Sequence, residues 1–134
     1  MIAQCLGGIF AASLIKLADP LNALQAVKMG TPAPGTGVPL TMAFMMEIIL
    51  TFFLVFVVFG TAIDPRSPNL GGLFIGLTIT LDILAGGPIS GAAINPARYL
   101  GPALLGGGLQ YLWLYWVGSF IGGAAAALLY SDPK

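Results

Sequence analysis

Histidine is absent from this chain, and charge is scarce. Only 7% of its 134 residues are Asp, Glu, Lys or Arg, where soluble domains carry about 25%. Without histidine, the commonest general acid–base and the commonest metal ligand are both missing. A single cysteine, Cys5, cannot close a disulfide within the chain or build a thiolate metal site. Five basic residues balance five acidic ones. No basic surplus is left to hold a nucleic acid, and no acidic excess to serve as a solvating tail. Enzymes, metalloproteins and nucleic-acid binders thus lose their usual equipment, and no cofactor is called for. What the chain has in quantity is apolar residues, 57% of the total, which describes an all-α, multi-pass integral membrane protein.

Apolar segments of about 20 residues cross a hydrocarbon core about 30 Å thick. Four are expected here: Met1 to Ala18, which is short and lacks the basic start of a signal peptide; Leu40 to Ile63; Leu70 to Ala85, ending at Gly86-Gly87-Pro88; and Leu109 to Tyr130. Between the first two, Asp19 to Pro39 is rich in Pro and Gly and reads as an ordered loop. Asp64 to Asn69 is a short turn. Tyr111, Trp113, Tyr115 and Trp116 form an interfacial aromatic cluster. Gly72/Gly76 and Gly118/Gly122 have the spacing that lets membrane helices approach closely. Orientation is not legible from charge, because Lys16 and Lys28 in the first loop are matched by Arg66 and Lys134.

One segment fits no span. From Ala92 to Gly106 the chain is apolar but carries Asn95, Pro96 and Arg98, with Gly101-Pro102 following. Asn is among the best N-caps and Pro is favoured at the first helical position, so a helix is expected from Pro96 to about Leu105. At 1.5 Å per residue it is about 15 Å long, half a bilayer. It either lies in the interface or dips into the membrane and returns, and the second course requires protein or water around it. With the Asn95 oxygen held by backbone amides, its amide nitrogen keeps two donors free. Arg98 in the first turn opposes the helix dipole and brings charge into the membrane. It either snorkels to the headgroups or serves a narrow pore, where it would donate to water and repel cations.

These residues resemble a known family. Gly91-Ala92-Ala93-Ile94-Asn95-Pro96-Ala97-Arg98, Gly101-Pro102-Ala103 and Trp113-Leu114-Tyr115-Trp116-Val117-Gly118 are similar to the second Asn-Pro-Ala half of the aquaporins, or major intrinsic proteins. Ile2 to Gly7, Glu47 to Phe52 and Gly76 to Leu81 resemble the family's third, fourth and fifth membrane helices. The resemblance implies a partial aquaporin-like bundle, four membrane-spanning helices plus one re-entrant half-helix, acting as a passive water channel. It implies that Asn95 is one of two asparagines that meet at mid-membrane and turn each passing water. Arg98, Ile83 and Ala92 would belong to the selectivity filter. The carbonyls of Gly91, Ala92 and Ala93 would form an acceptor ladder, and Glu47 would prop the loop by accepting from its amides. The alternative for Glu47 is an interfacial carboxylate. Ile83 makes the filter less polar than one with histidine there, so ammonia, hydrogen peroxide or other small neutral solutes join water as candidate permeants. Of the positions that separate water from glycerol channels in the family, Ala103, Tyr115 and Trp116 side with water, and Tyr99 matches neither type. Asp82 is read as snorkelling or capping near the end of its span, with a pairing to Arg98 as the alternative.

Members of this family are built from two inverted halves, and only one Asn-Pro-Ala is present here. The resemblance therefore makes residues 1–134 the C-terminal portion of a single domain, without the first two spans and the first half-helix. On that footing the chain alone is expected to conduct water poorly or not at all, with a non-conducting fragment that associates with intact channel subunits, or a glycerol facilitator, as alternatives. A homotetramer in the lipid bilayer is what the resemblance implies. The style of Asp64-Pro65-Arg66 and Leu81-Asp82-Ile83-Leu84 points to a bacterial inner (plasma) membrane.

Overall fold

The computed structural model describes residues 1–18, 25–67 and 69–131, with only the backbone of Ser131. Residues 19–24 of the first loop, Pro68 and residues 132–134, Lys134 among them, lie outside the described residues. Among those described there is no strand. The α-helices are α1 (Ile2–Ala18), α2 (Leu40–Val58), α3 (Gly71–Ser90), α4 (Pro96–Gly106) and α5 (Leu112–Ser131). A π turn, Phe59–Ile63, prolongs α2, so that Leu40–Ile63 is one apolar run of 24 residues. That run, Gly71–Ser90 and Leu109–Tyr130 are long and apolar enough to cross a membrane. The fourth expected span, α1, has 17 residues. At 1.5 Å each it reaches about 25 Å, which leaves it shorter than the others.

The bundle is organised around α2, which packs against α5 on one side and α3 on another, while α1 packs against α4. Gly118 of α5 meets Phe44 and Glu47, Gly122 meets Ile48 and Phe52, and Tyr130 meets Phe56 and Phe59. The numbers rise together, so α2 and α5 are parallel. A Cβ on Gly122 would run into the Ile48 carbonyl, so this glycine pair does what its spacing promised. Gly72 and Gly76 do not: nothing lies within 4 Å of where their Cβ atoms would be. Helix α3 runs the other way, with Ser90 bonded to Glu47 and Gly86 under Leu50.

Three expectations are corrected by tertiary contacts. Helix α3 does not stop at Gly86-Gly87-Pro88 but continues to Ser90 with Pro88 inside it. Its last turn is held from outside: Tyr115 Oη donates to the Ser90 carbonyl at 2.5 Å, and the Gly35 amide donates to the Ile89 carbonyl at 3.0 Å. Such tertiary bonds outweigh the breaker propensity of the sequence. Asp82 therefore sits well inside α3 and is buried, which rules out snorkelling. Tyr115, in turn, is no interfacial aromatic. It is fully buried and stacked on Tyr99 at 4.2 Å, whereas Trp113 is exposed.

The turn after α2 is clamped to the end of α5. Asp64 accepts from the Arg66 guanidinium at 2.7 and 3.0 Å and from the Tyr130 hydroxyl at 2.7 Å. Arg66 first, then Tyr130, holds the Asp64 carboxyl well below the usual carboxylate range.

Gly122→Val is expected to lower stability in detergent by about 1–3 kcal/mol through overpacking of the α2–α5 contact. Gly72→Ala, with open space at its Cβ, is expected to be neutral or to stabilise by about 0.5–1 kcal/mol. Thermal unfolding of the two variants side by side checks the contrast, and equal losses would contradict this packing.

Candidate functional site: a half-helix cap and an acceptor row

After Ser90 the chain turns back among the helices. Ala92 and Ile94 are buried against Leu50, with Met46, Leu54 and Ile79 packed on them. These partners lie along the middle parts of α2 and α3, so the start of α4 sits at the depth of the spanning helices and not beyond their ends. From there α4 runs back, and its end is covered by the loop before α2: Gly106 abuts Lys28 and Met29, and Gly108 abuts Thr31. The segment is a dip among the helices and a return, as a re-entrant half-helix requires, and does not lie beyond the helix ends.

Glu47 sets the shape of the dip. Its side chain is fully buried. Oε1 accepts from Ser90 Oγ at 2.6 Å and from the Ala93 amide at 3.0 Å, and Oε2 accepts from the Ile94 amide at 2.8 Å. Ser90 Oγ in turn accepts from the Ala92 amide at 3.1 Å. Three successive amides therefore point at one carboxylate–hydroxyl pair. No peptide bond is cis among the described residues, and in a trans peptide the carbonyl preceding an amide points the opposite way. The carbonyls of Gly91, Ala92 and Ala93 are thereby turned away from Glu47. No hydrogen bond from the described residues reaches them.

This arrangement strains the backbone. Ala92 and Ile94 have φ of 44° and 46°, beside Gly91 at 82°. A β-branched residue at positive φ is an outlier, and each such residue costs on the order of 1–3 kcal/mol. Such strain persists only where the surroundings over-determine it, and the bonds to Glu47 and Ser90 do so. A side chain on Gly91 would strike Pro32 and Ala33, so the loop is also packed from its outer side.

Asn95 closes the dip and opens the helix. Its Oδ1 accepts from the Ala97 amide at 2.9 Å and the Arg98 amide at 3.3 Å, with Pro96 in the first position. Those two donors fix which end of the side chain is oxygen, and Nδ2 is left with no partner among the described residues. A groove of about 230 Å³ lies in front of it, lined by Asn95, Arg98, Ala92 and Ala93 on one side and by Leu54, Ile79 and Ile83 on the other. The side chains assigned to a filter from sequence, Arg98, Ile83 and Ala92, thus share one groove with Asn95. Arg98 is exposed and forms no ion pair among the described residues. The Asp82–Arg98 pairing is not present, because Asp82 points into the helix seam.

The four positions expected from the resemblance to separate water from glycerol channels fall elsewhere. Tyr99, Ala103 and Tyr115 form a buried cluster with Ala43, Ala93 and Leu114 behind the loop, and Tyr99 Oη donates to the Gly108 carbonyl. Trp116 is half-buried, with an indole nitrogen that has no partner among the described residues. Sequence reasoning missed Leu54, Ile79 and Ser90. Leu54 and Ile79 sit in uniform apolar runs with nothing to mark them. Ser90 carried a faint signal, as a lone hydroxyl at the end of an apolar span.

Over residues 1–130 the chain matches the major intrinsic proteins. It belongs to that family. It is 48% identical over 132 residues to a probable aquaporin TIP3-2 of Arabidopsis thaliana, covering 96% of this chain and 48% of that protein. It is 41% identical over 134 residues to the Arabidopsis aquaporin TIP2-3 (98% and 52% covered) and 43% identical over 132 residues to aquaporin TIP4-4 of Zea mays (96% and 50%). The chain spans about half the length of the curated relatives it matches. These relatives are plant proteins, so the expectation of a bacterial protein in a bacterial inner membrane has no support. It rested on two short tetrapeptide-scale stretches against a likeness that runs the length of this major intrinsic protein.

Glu47→Gln replaces an acceptor with an NH₂ that faces amide donors. It is expected to cost roughly 1.5–3 kcal/mol, the worth of a hydrogen bond to a charged group. Asn95→Ala, which removes only the cap, is expected to cost about 1 kcal/mol. Denaturant unfolding in mixed micelles ranks the two, and an Asn95→Ala loss larger than that of Glu47→Gln would contradict the central place given to the carboxylate.

Proposed function

We propose that this chain forms one wall of a passive water channel in the bilayer, the C-terminal portion of an aquaporin-type domain. The observation that carries the proposal is the juxtaposition of three unpaired carbonyls, on Gly91, Ala92 and Ala93, with the unpaired amide nitrogen of Asn95 beside one groove. Buried backbone acceptors left without protein donors require water. A file of water accepting from Asn95 Nδ2 and donating along the carbonyl row would have its hydrogen bonds replaced at each step. The half-helix dipole and Arg98 place positive charge at the same point, which opposes cations while leaving a neutral permeant unaffected.

Ile83, Ala92, Leu54 and Ile79 make the rest of the groove apolar. That supports passage of ammonia, hydrogen peroxide or other small neutral solutes beside water. Ala103, Tyr115 and Trp116 favour water over glycerol by family likeness. The same likeness supports assembly of copies into a homotetramer. In this reading Asn95, Pro96 and Ala97 form the pore motif, and Arg98, Ile83 and Ala92 form the filter. Enzymatic chemistry has no place in it, since the family's members are channels.

The groove is lined by the dip, α2 and α3 of a chain that spans about half the length of its matched relatives, and a groove facing lipid cannot hold a water file. The chain alone, in proteoliposomes, is therefore expected to shrink vesicles in sucrose no faster than empty ones. Fused behind the first half of one of its matched relatives, it is expected to raise water flux several-fold, with little glycerol flux. In that fusion Arg98→Ala should keep water flux and raise cation leak. A fusion that inserts but carries no water would overturn the channel assignment, and glycerol flux equal to that of water would favour a glycerol facilitator.

A further inference from the structure

Two carboxyl groups lie within the spanning helices of this chain, and their surroundings are opposite. Glu47 receives three hydrogen bonds from Ser90 and two amides, the full treatment of an ionised acceptor. Asp82 receives none among the described residues: its Oδ2 is buried without a partner there, and the residue is 5% exposed. The register between α2 and α3 places it. Ser90 pairs with Glu47, Gly86 lies under Leu50, and one further turn back along α3 brings Asp82 level with Leu54. Leu54, Ile79 and Ile83 line the groove, so Asp82 sits behind the apolar wall that these three side chains form.

The charged groups on the elements around it give Asp82 no counter-ion. Glu47 on α2 carries the same sign and is already saturated. Arg98 on α4 lines the groove and makes no ion pair among the described residues. An ionised carboxylate in that seam would be an uncompensated buried charge, which proteins avoid by pairing or by neutralisation. Where two acids meet such different surroundings, they take different roles.

We infer that Asp82 keeps its proton at neutral pH and stands as an uncharged carboxyl in the seam between α2 and α3, leaving Arg98 as the one charged side chain, among the described residues, that borders the groove. The place of Ile83 in a permeation path rests on the function proposed above, but the state of Asp82 is measured apart from any flux. The experiment is infrared spectroscopy of the full chain in lipid vesicles at neutral pH, reading the carbonyl stretch of a protonated carboxyl. The band is expected in the wild type, lost in Asp82→Asn and retained in Glu47→Gln. Because Glu47 is the sole glutamate in the sequence, aspartate carrying ¹³C in its side-chain carboxyl decides the case without any substitution: the band is expected to shift. Absence of the band in the wild type, or a band that fails to shift with labelled aspartate, overturns the inference. In the conducting fusion, Asp82→Asn is expected to leave water flux and cation exclusion unchanged. A rise in cation leak there would show that a charge had been removed, and would also overturn it. A fusion without water flux would count against the channel and leave the infrared result to decide for Asp82.

Discussion

One carboxylate organises this structure. Glu47 draws the amides of Ala93 and Ile94, and with Ser90 that of Ala92, onto a single point in the interior of the bundle. A loop with its backbone exposed at this depth would be costly in a bilayer unless protein or water satisfied it. Glu47 satisfies one edge of the loop and, by the planarity of the peptide, turns the other edge outward. The strained φ values at Ala92 and Ile94 are the cost of that arrangement, and the small side chains from Gly91 to Ala93 permit it. The position of Asn95, the start of α4 and the groove in front of them all follow from this one anchoring.

The rest of the packing keeps the anchor in place. Gly118 allows α5 to reach the Cβ of Glu47, and Gly122 brings the two backbones together one turn further on. Tyr115 reaches from α5 to the Ser90 carbonyl, and Tyr99, stacked on it, ties α4 to the same cluster. Tyr99, Ala103 and Tyr115 are therefore, in this chain, part of the support behind the loop. Tyr99 packs against Tyr115 and donates to the Gly108 carbonyl.

Much of this was legible in the residues. The Asn95-Pro96 cap, the length of α4 and the bounds of α2 follow from local rules of capping and apolar run length, and the structure keeps them. Ends set by tertiary bonds were not legible. Gly86-Gly87-Pro88 reads as a stop, yet contacts with residues distant in sequence, Glu47 and Tyr115, carry α3 on to Ser90. That extension also moved Asp82 from a supposed span end into a buried seam. Tyr115 read as interfacial because an aromatic near a span end usually is, and only the packing of α4 shows it buried. Leu54 and Ile79 were invisible for another reason: in a uniformly apolar helix the face turned to a groove carries no compositional mark.

A half-helix is an expensive device in a membrane, and its cost explains its use. A helix that crosses the bilayer satisfies its own amides and carbonyls and offers passing water nothing but side chains. A helix that begins midway exposes the first-turn amides, of which Asn95 takes two and leaves its own NH₂ in their place. The strained run before it exposes carbonyls, which come from consecutive residues of the backbone and not from side chains. Donor and acceptors then come from adjoining stretches of one backbone, fixed relative to each other by Glu47 and not by mobile side-chain rotamers. Replacing Arg98 would alter the field along the groove, but losing the Glu47 anchor would remove the geometry on which that field acts.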